Sequence, residues 1–294
     1  MERRAYYRNG WLPWLLIGPQ LILVLVFFYW PTTQALYWAF TLEQPWGGGN
    51  TWVGLDNFLA IFRDREYWTT VVRSAFYAIV TTGLSMTVAL TLAAFVDRSL
   101  KGTRFFQSVY VWPYAIAAPA AGVAFRFIFA PESGLIGSIN AIWPGIWNPA
   151  INGFHALAMV IVCHAWLGIG YNFIFFLAAL QMIPRSITEA GAMDGARPFQ
   201  RLIDLQLPLI APTAFFLLIM NLISSFTDSF GLIDVMTEGG PIGQTEVMVY
   251  KIYFDGFKGL DYSGAAAQSI VLMLLVIGLT FVQFKWVERR VHYN

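Results

Sequence analysis

Residues 155–181 read HALAMVIVCHAWLGIGYNFIFFLAALQ and contain no Asp, Glu, Lys or Arg. A helix of this length rises about 40 Å at 1.5 Å per residue, whereas about 20 apolar residues already cross the hydrocarbon core of a bilayer. The stretch therefore predicts a membrane-spanning helix. The residues just before it, from 134 to 153, are rich in Gly, Pro and Asn and predict a loop.

Five other parts of the chain are long and free of charged side chains. The 35 charged residues, 18 basic and 17 acidic, fall into short blocks between these parts. Pro31 is expected to end the first span. The predicted spans are residues 12–30, 74–96, 105–125, 155–181, 207–227 and 264–284. The sequence thus predicts an all-α, polytopic membrane protein with six transmembrane helices in a single domain over residues 1–294.

The composition excludes several classes of protein. Only 12% of the residues are charged and 57% are hydrophobic, with a mean hydropathy of +0.58. Soluble domains average about 25% charged residues, so a water-soluble globular protein is excluded. Cys163 is the single cysteine, so no intrachain disulfide can form. The net charge of +1 lacks the basic excess of nucleic-acid-binding proteins. We expect no nucleic acid as a partner.

The sequence contains no motif of an enzyme. A GxxxxGK[ST] phosphate loop is absent, and His155, His164 and His292 lie too far apart for an HExxH zinc motif. We therefore expect no catalytic residue, no metal site and no cofactor bound by this chain.

The basic residues predict how the chain is oriented in the membrane. With six spans both termini lie on one side, and that side would carry 12 of the 18 basic residues. These residues are Arg3, Arg4, Arg8, Arg98, Lys101, Arg104, Arg185, Arg197, Arg201, Lys285, Arg289 and Arg290. The other side would carry six basic and 11 acidic residues. Because basic loops remain in the cytoplasm, both termini are predicted to be cytoplasmic, and the first span is predicted to be an uncleaved signal anchor in a bacterial inner membrane.

The polar link between the fourth and fifth spans, residues 181–205, contains signals of short helices. Ser186 and Glu189 have the spacing of a capping box, which predicts that a helix begins at Ser186. Gly195 is typical of a left-handed residue at a helix C-terminus, and Pro198 suits the first turn of a second helix. The link is therefore expected to present a compact helix over residues 186–195.

These residues also carry a resemblance to a known family. Glu189-Ala190-Gly191, three residues, Gly195, nine residues, and Leu205-Gln206-Leu207-Pro208 resemble the EAA signature of the permease subunits of ABC importers, which reads EAA, x3, G, x9, I-x-L-P. Gly191 replaces the second alanine and Leu205 replaces the isoleucine. The segments 54–58, 178–184, 193–196 and 239–241 resemble the carbohydrate-uptake branch, and segments 171–173, 250–253, 256–261 and 265–269 resemble glycerol-3-phosphate permeases.

The resemblance implies a type I importer fold and a transport role. The chain would pair with a second, homologous permease over two copies of a cytoplasmic ATPase, which uses ATP and Mg, and an extracytoplasmic binding protein would deliver the substrate. The helix over residues 186–195 would be the coupling helix that docks on the ATPase. The residues implied in coupling are Glu189, Ala190, Gly191, Met193, Asp194 and Gly195.

Polar residues inside the spans predict a substrate path, since such residues are costly unless they are paired or line a water-filled cavity. Two stripes on consecutive helices have the helical spacing i, i+4, i+7 and so each share one face. They are His164, Gly168 and Tyr171 on the fourth span, and Asn221, Ser225 and Asp228 on the fifth. A protonated His164 would pair with a phosphate. The alternative for each stripe is hydrogen bonding between helices.

Three functional interpretations follow from the residues and the resemblance. The first is a permease of an ATP-driven importer of sn-glycerol-3-phosphate or a related glycerophosphodiester. The second is a permease of the same branch for a neutral oligosaccharide. The third is an ATP-independent secondary transporter, which usually shows internal repeats or broken helices.

Overall fold

The computed structural model describes residues 11–43, 48–97 and 103–288, and it is largely helical. The α-helices are α1 (Leu12–Val24), α2 (Trp30–Ala39), α3 (Asp56–Arg63), α4 (Arg65–Asp97), α5 (Thr103–Val111), α6 (Ala118–Ile128), α7 (Gly137–Ile142), α8 (Gly153–Gln181), α9 (Arg185–Met193), α10 (Pro198–Gln200), α11 (Leu207–Leu209), α12 (Ala211–Thr227), α13 (Phe230–Met236), α14 (Met248–Tyr253) and α15 (Tyr262–Glu288). Of the basic residues used to predict orientation, Arg3, Arg4, Arg8, Arg98, Lys101, Arg289 and Arg290 lie outside the described residues.

Within the described ranges, four helical segments are long and apolar enough to cross a membrane. They are Leu12–Ala39, Arg65–Asp97, Gly153–Gln181 and Tyr262–Lys285. Two bent pairs also qualify, Gln107–Ala115 with Ala118–Ile128 and Pro198–Leu209 with Ala211–Thr227. Six spans result if each bent pair crosses once.

The first helical segment continues past Pro31, contrary to the expectation that this proline ends it. A π-helical turn over Leu25–Tyr29 joins α1 directly to α2, in which Pro31 occupies the first turn. Proline has no N–H and crowds the carbonyl of the preceding turn, and a π-helical turn is one way in which a helix accommodates such a break. The segment therefore remains helical to Ala39.

Two of the three predicted spans that contain prolines, residues 105–125 and 207–227, are bent. Trp112–Ala115 forms a 3-10 turn, Ile116 and Ala117 are extended, and the helices on either side meet at 105°. Extended Ala117 is followed by α6, with Pro119 in its first turn. The other bend, of 81°, falls at Ile210, between Pro208 and Pro212. Proline is tolerated in the first turn of a helix, where its missing N–H has no intrahelical partner to bond, so Pro119 is compatible with the start of α6 directly after the bend.

One of the two structural units consists of the chain up to Asp64 together with Ile252–Val271. It contains a short antiparallel hairpin of β1 (Thr41–Glu43) and β2 (Asn50–Trp52), which the all-α prediction did not include. The backbone N–H of Glu43 donates to Ser263 Oγ at 2.9 Å. This hydrogen bond ties the hairpin to the start of α15.

The other unit consists of Arg65–Lys251 and residues 272–294, and its core lies between α4 and α8. Small side chains on α4 let the two helices approach closely, as is common between membrane helices. Ala78, Ala89 and Ala93 are fully buried there, and Phe173 and Phe176 of α8 fill the core. This pair of helices supports the cavity described below.

Candidate substrate cavity and coupling segment

A cavity of about 470 Å³ lies against α8 in the larger unit, and we call it the central cavity. Its lining residues come from α4, from the bend between α5 and α6, from the start of α6, and from α8, α12 and α13. They are Thr81, Ser85, Tyr114, Ile116, Ala118, His164, Leu167, Gly168, Tyr171, Met220, Asn221, Ser224, Ser225, Asp228 and Leu232. A cavity with both hydroxyl and apolar walls suits a small polar ligand.

All six residues of the predicted substrate path line this cavity. The helical period places His164, Gly168 and Tyr171 on one face of α8. The packing of α12 beside α8 then brings Asn221, Ser225 and Asp228 to the same space. Asp228 ends α12, and its Oδ1 accepts a hydrogen bond from Thr227 Oγ1 at 3.1 Å. The two polar stripes thus face one cavity, and their role in transport remains a prediction.

His164 is held by a residue of α4. Its Nδ1 hydrogen-bonds to the hydroxyl of Tyr77, which is fully buried, and the two rings pack with centroids 5.7 Å apart. When the Tyr77 hydroxyl donates, Nδ1 accepts and the imidazole is neutral with its proton on Nε2. In that state His164 offers the cavity a hydrogen-bond donor and no positive charge.

Asn172, which the two stripes omit, joins three helices. Its Nδ2 donates to Ser85 Oγ at 2.8 Å and to Asn221 Oδ1 at 2.9 Å. Asn221 Nδ2 donates in return to Asn172 Oδ1 at 2.7 Å and to the Leu217 carbonyl at 2.7 Å. Both N–H groups of Asn221 are therefore used between and within helices, so only an oxygen lone pair of Asn221 remains for a ligand.

Sequence reasoning missed the wall that α4 provides. Thr81 and Ser85 are four residues apart and share a face with Ser74 and Tyr77, so the helical period would have revealed a third stripe. Thr81 is 3% exposed, and its Oγ1 has no hydrogen-bond partner among the described residues. A buried hydroxyl without a partner costs free energy, and a hydroxyl-bearing ligand would supply the missing bond.

We expect Thr81→Val to raise the apparent KM for uptake about three- to tenfold, which corresponds to one lost hydrogen bond of about 1 kcal/mol. Valine keeps the shape of threonine and removes only the hydroxyl. The adjacent Thr82 is a matched control, because it is also buried with an unpartnered Oγ1 but does not line the cavity. Equal KM values for the Thr81→Val and Thr82→Val variants would contradict a ligand contact at Thr81.

The charge of the central cavity is small. Among the described residues that line it, Asp228 is the only acid and none is Lys or Arg. No group of three or more His, Cys, Asp and Glu side chains in the described ranges could hold a metal ion. The polar groups that line this cavity are therefore hydroxyl, amide and imidazole groups and the Asp228 carboxylate.

The coupling segment differs from the prediction at its start. α9 begins at Arg185 with Pro184 as the N-cap, and no side chain caps it. Ser186 is thus inside the helix, and the predicted capping box with Glu189 is wrong. Extended Pro184 already turns the chain into the helix one residue earlier. Glu189 is exposed, and its carboxylate makes no hydrogen bond or ion pair with the other described residues.

The end of α9 agrees with the pattern of its residues. Gly195 has φ +82°, its N–H donates to Ala192 O at 3.1 Å, and the N–H of Ala196 donates to Gly191 O at 3.0 Å. This pair of bonds is a Schellman motif, which favours glycine at the left-handed position. Pro198 then begins α10, where the N–H of Arg197 donates to Gln200 Oε1 at 2.9 Å.

The two departures from the EAA signature lie against each other. Gly191 is buried, and a Cβ added there would lie 2.5 Å from Leu205 Cδ1. The missing methyl of Gly191 thus makes room for the leucine. Gly191 faces the interior, whereas the other five residues implied in coupling are exposed, with Met193 at 89%.

Comparison with known proteins gives consistent results over the whole chain. Residues 10–293 match the family described as "Binding-protein-dependent transport system inner membrane component". The chain is 47% identical over 291 residues to the sn-glycerol-3-phosphate transport system permease protein UgpA of Yersinia enterocolitica, covering 99% of both proteins. It is 44% identical to the UgpA of Rhizobium meliloti, covering 99% of this chain and 100% of that one. The resemblance to glycerol-3-phosphate permeases is confirmed.

Solved structures share the fold. A chain of a bacterial ABC transporter involved in the import of the acidic polysaccharide alginate matches with a TM-score of 0.81 at 21% identity, covering 96% of each chain. The same transporter in complex with an alginate pentasaccharide-bound periplasmic protein matches with a TM-score of 0.78 at 20% identity, covering 95% of this chain and 94% of that one. The chain therefore belongs to the family of inner membrane components of binding-protein-dependent transport systems, and it is a permease subunit of an ABC transporter.

Proposed function

We propose that this chain is a permease subunit for sn-glycerol-3-phosphate or a related glycerophosphodiester. The observation that carries the proposal is the 44–47% identity to UgpA relatives over the full length of both proteins. The hydroxyl, amide and imidazole groups of the central cavity suit the glycerol part of such a ligand. His164, Gly168, Tyr171, Asn221, Ser225 and Asp228 form the substrate path in this proposal, together with Thr81 of α4.

The chain itself is a non-enzymatic subunit, and partner proteins supply the energy and the substrate. A second permease would complete the path, and two copies of a cytoplasmic ATPase would bind ATP and Mg. An extracytoplasmic binding protein would deliver the ligand. Since 12 of the 18 basic residues fall on the side of the termini, both termini are cytoplasmic in this proposal.

The segment from Met182 to Phe199 supports docking of the ATPase. Met182, Met193 and Phe199 are 83%, 89% and 72% exposed. Met182 lies just before α9, Met193 is its last residue, and Phe199 lies in α10. Exposed apolar side chains grouped on a polar link are typical of a protein–protein contact. The surface of this contact would be formed by Glu189, Ala190, Met193, Asp194 and Gly195. The buried Gly191 would let α9 pack closely against Leu205.

Reconstitution of the complete transporter tests the function. The chain is combined with its partner permease, ATPase and binding protein in proteoliposomes, and uptake of labelled glycerol-3-phosphate, a glycerophosphodiester and maltose is measured with and without ATP. We expect ATP-dependent uptake of the phosphate esters. Uptake of maltose alone would indicate the neutral-oligosaccharide alternative. The lack of Lys and Arg among the described residues that line the central cavity favours this alternative. Uptake by the chain without its partners would indicate a secondary transporter.

We expect Glu189→Gln to lower substrate uptake per ATP hydrolysed several-fold. The carboxylate is exposed and makes no hydrogen bond within the described part of the chain, so the substitution removes a charge without removing a structural contact. The measurement is the ratio of uptake to ATP hydrolysis in the reconstituted transporter. Glu132→Gln, at another exposed carboxylate outside α9, is the control. An unchanged ratio in Glu189→Gln would remove the docking role of this residue.

A further inference from the structure

A second cavity, of about 290 Å³, lies on three of the helices that line the central cavity. On α6, Ala118 lines the central cavity and Arg126 lines the second one. The corresponding pairs are His164 and Met159 on α8, and Leu232 and Met236 on α13. These separations correspond to between about 6 and 12 Å along the helices at 1.5 Å per residue. On α8 the second cavity lies toward the N-terminus, away from the coupling segment that follows the C-terminus. We call it the outer cavity.

The helices are in contact between the two cavities. Gly122 lies halfway along α6 between Ala118 and Arg126 and is buried. A Cβ added at Gly122 would lie 3.1 Å from Met236 Cγ and 3.5 Å from Leu232 Cδ2. The contact of α6 with α13 at Gly122 therefore lies between the two cavities.

Arg126 is the only charged side chain among the described residues that line the outer cavity. Its Nη1 donates to the Val235 carbonyl at 3.2 Å, and the side chain is exposed. A guanidinium has five N–H donors, so four remain after this bond. The bond to Val235 fixes the guanidinium beside the cavity, and a guanidinium binds phosphate oxygens in pairs.

We propose that Arg126 forms an anion subsite in the outer cavity, where it takes the phosphate group of the substrate before the substrate enters the central cavity. The inference rests on the proposed function and on the proposed orientation. The predicted outer side carries 11 acidic and six basic residues, so its average field repels a phosphate. A single cation at the mouth of the path offsets this repulsion. The central cavity, without Lys or Arg in its described lining, then receives the hydroxyl-bearing part.

The test is Arg126→Gln in the reconstituted transporter with its substrate-loaded binding protein. Glutamine removes the charge and keeps an N–H donor on a shorter side chain. We expect the apparent KM for glycerol-3-phosphate uptake to rise about tenfold, while stimulation of ATP hydrolysis by the loaded binding protein stays within twofold of wild type. Arg126→Lys should keep most of the uptake because it keeps the charge. Arg65→Gln, at an exposed arginine of α4 that lines neither cavity, should behave as wild type.

Three outcomes would overturn the subsite. The first is an unchanged KM in Arg126→Gln. The second is an equal loss of uptake and of ATPase stimulation in a complex that still assembles, which would assign Arg126 to the packing of α6 against α13. If the glutamine variant does not assemble, the salt dependence of the wild-type transporter is the deciding measurement. The third outcome that would overturn the subsite is a wild-type KM that does not rise between 50 and 300 mM salt in the assay. If the wild-type transporter does not take up glycerol-3-phosphate, the proposed function fails, independently of any Arg126 variant.

Discussion

Asn172→Leu is expected to lower the free energy of unfolding of the permease by about 1–3 kcal/mol and to abolish most of its uptake. Asn172 is fully buried, and it exchanges hydrogen bonds with Asn221 and Ser85. Leucine has a similar volume but no polar atom, so it leaves buried groups on α4 and α12 without partners. An unpaired buried polar group costs more than the net worth of the bond that it made. Thermal unfolding of the purified permease and uptake by the reconstituted transporter measure the two effects.

The double variant Asn172→Leu/Asn221→Leu separates stability from transport. Removing both amides eliminates most of the unpaired groups, so the double variant is expected to recover much of the stability that the Asn172 variant loses. Uptake should remain low, because Asn221 lines the central cavity. A double variant that is as unstable as the sum of the two single variants would show that the amide pair contributes no coupled interaction.

Gly170→Val is expected to destabilise the permease by about 1–3 kcal/mol, the usual cost of overpacking. Gly170 is buried on α8 where the end of α5 and the following 3-10 turn cross it. A Cβ at this position would lie 3.0 Å from the carbonyl oxygens of both Tyr110 and Val111 and 3.1 Å from Tyr114 Cβ. Backbone atoms cannot rotate away, so the crossing segment must shift, and Tyr114, which lines the central cavity, shifts with it.

Gly83→Val is the matched control for this substitution. Gly83 also lies in the middle of a membrane helix, α4, but a Cβ there meets no atom within 4 Å. We expect Gly83→Val to keep its unfolding temperature and its uptake close to wild type. If both glycine variants were equally stable, the close approach of α5 to α8 would not contribute to the fold.

The helical period explains why the two stripes on α8 and α12 were predictable. A polar residue every three or four positions marks a face from the sequence alone, and the structure brings both faces to one cavity. The partner of Asn172 was not predictable in this way, because Asn172 lies one residue beyond Tyr171 and points toward α4 and α12. The position of a neighbouring helix decides whether such an amide is paired or faces a cavity.

The EAA segment shows the same division at shorter range. Gly195 and Pro198 act through their own backbone conformations, so their roles at the end of α9 and the start of α10 agree with the sequence patterns. The role of Gly191 depends on Leu205, fourteen residues later, and only packing shows that the leucine occupies the space of the missing methyl. The predicted helix start was also wrong by one residue, because α9 begins at Arg185, after Pro184, and not at Ser186.

Local sequence features were sufficient to identify a helical membrane permease. The charge-free stretches are long enough to span a bilayer, and the spacing from Glu189 to Pro208 carries the family signature. The packing of the helices was needed to show that α4 contributes a wall to the central cavity and that Arg126 lines a second cavity. The reason is physical: a hydrophobic span and a local turn are properties of neighbouring residues, whereas a cavity exists only where helices distant in the chain fail to fill the space between them.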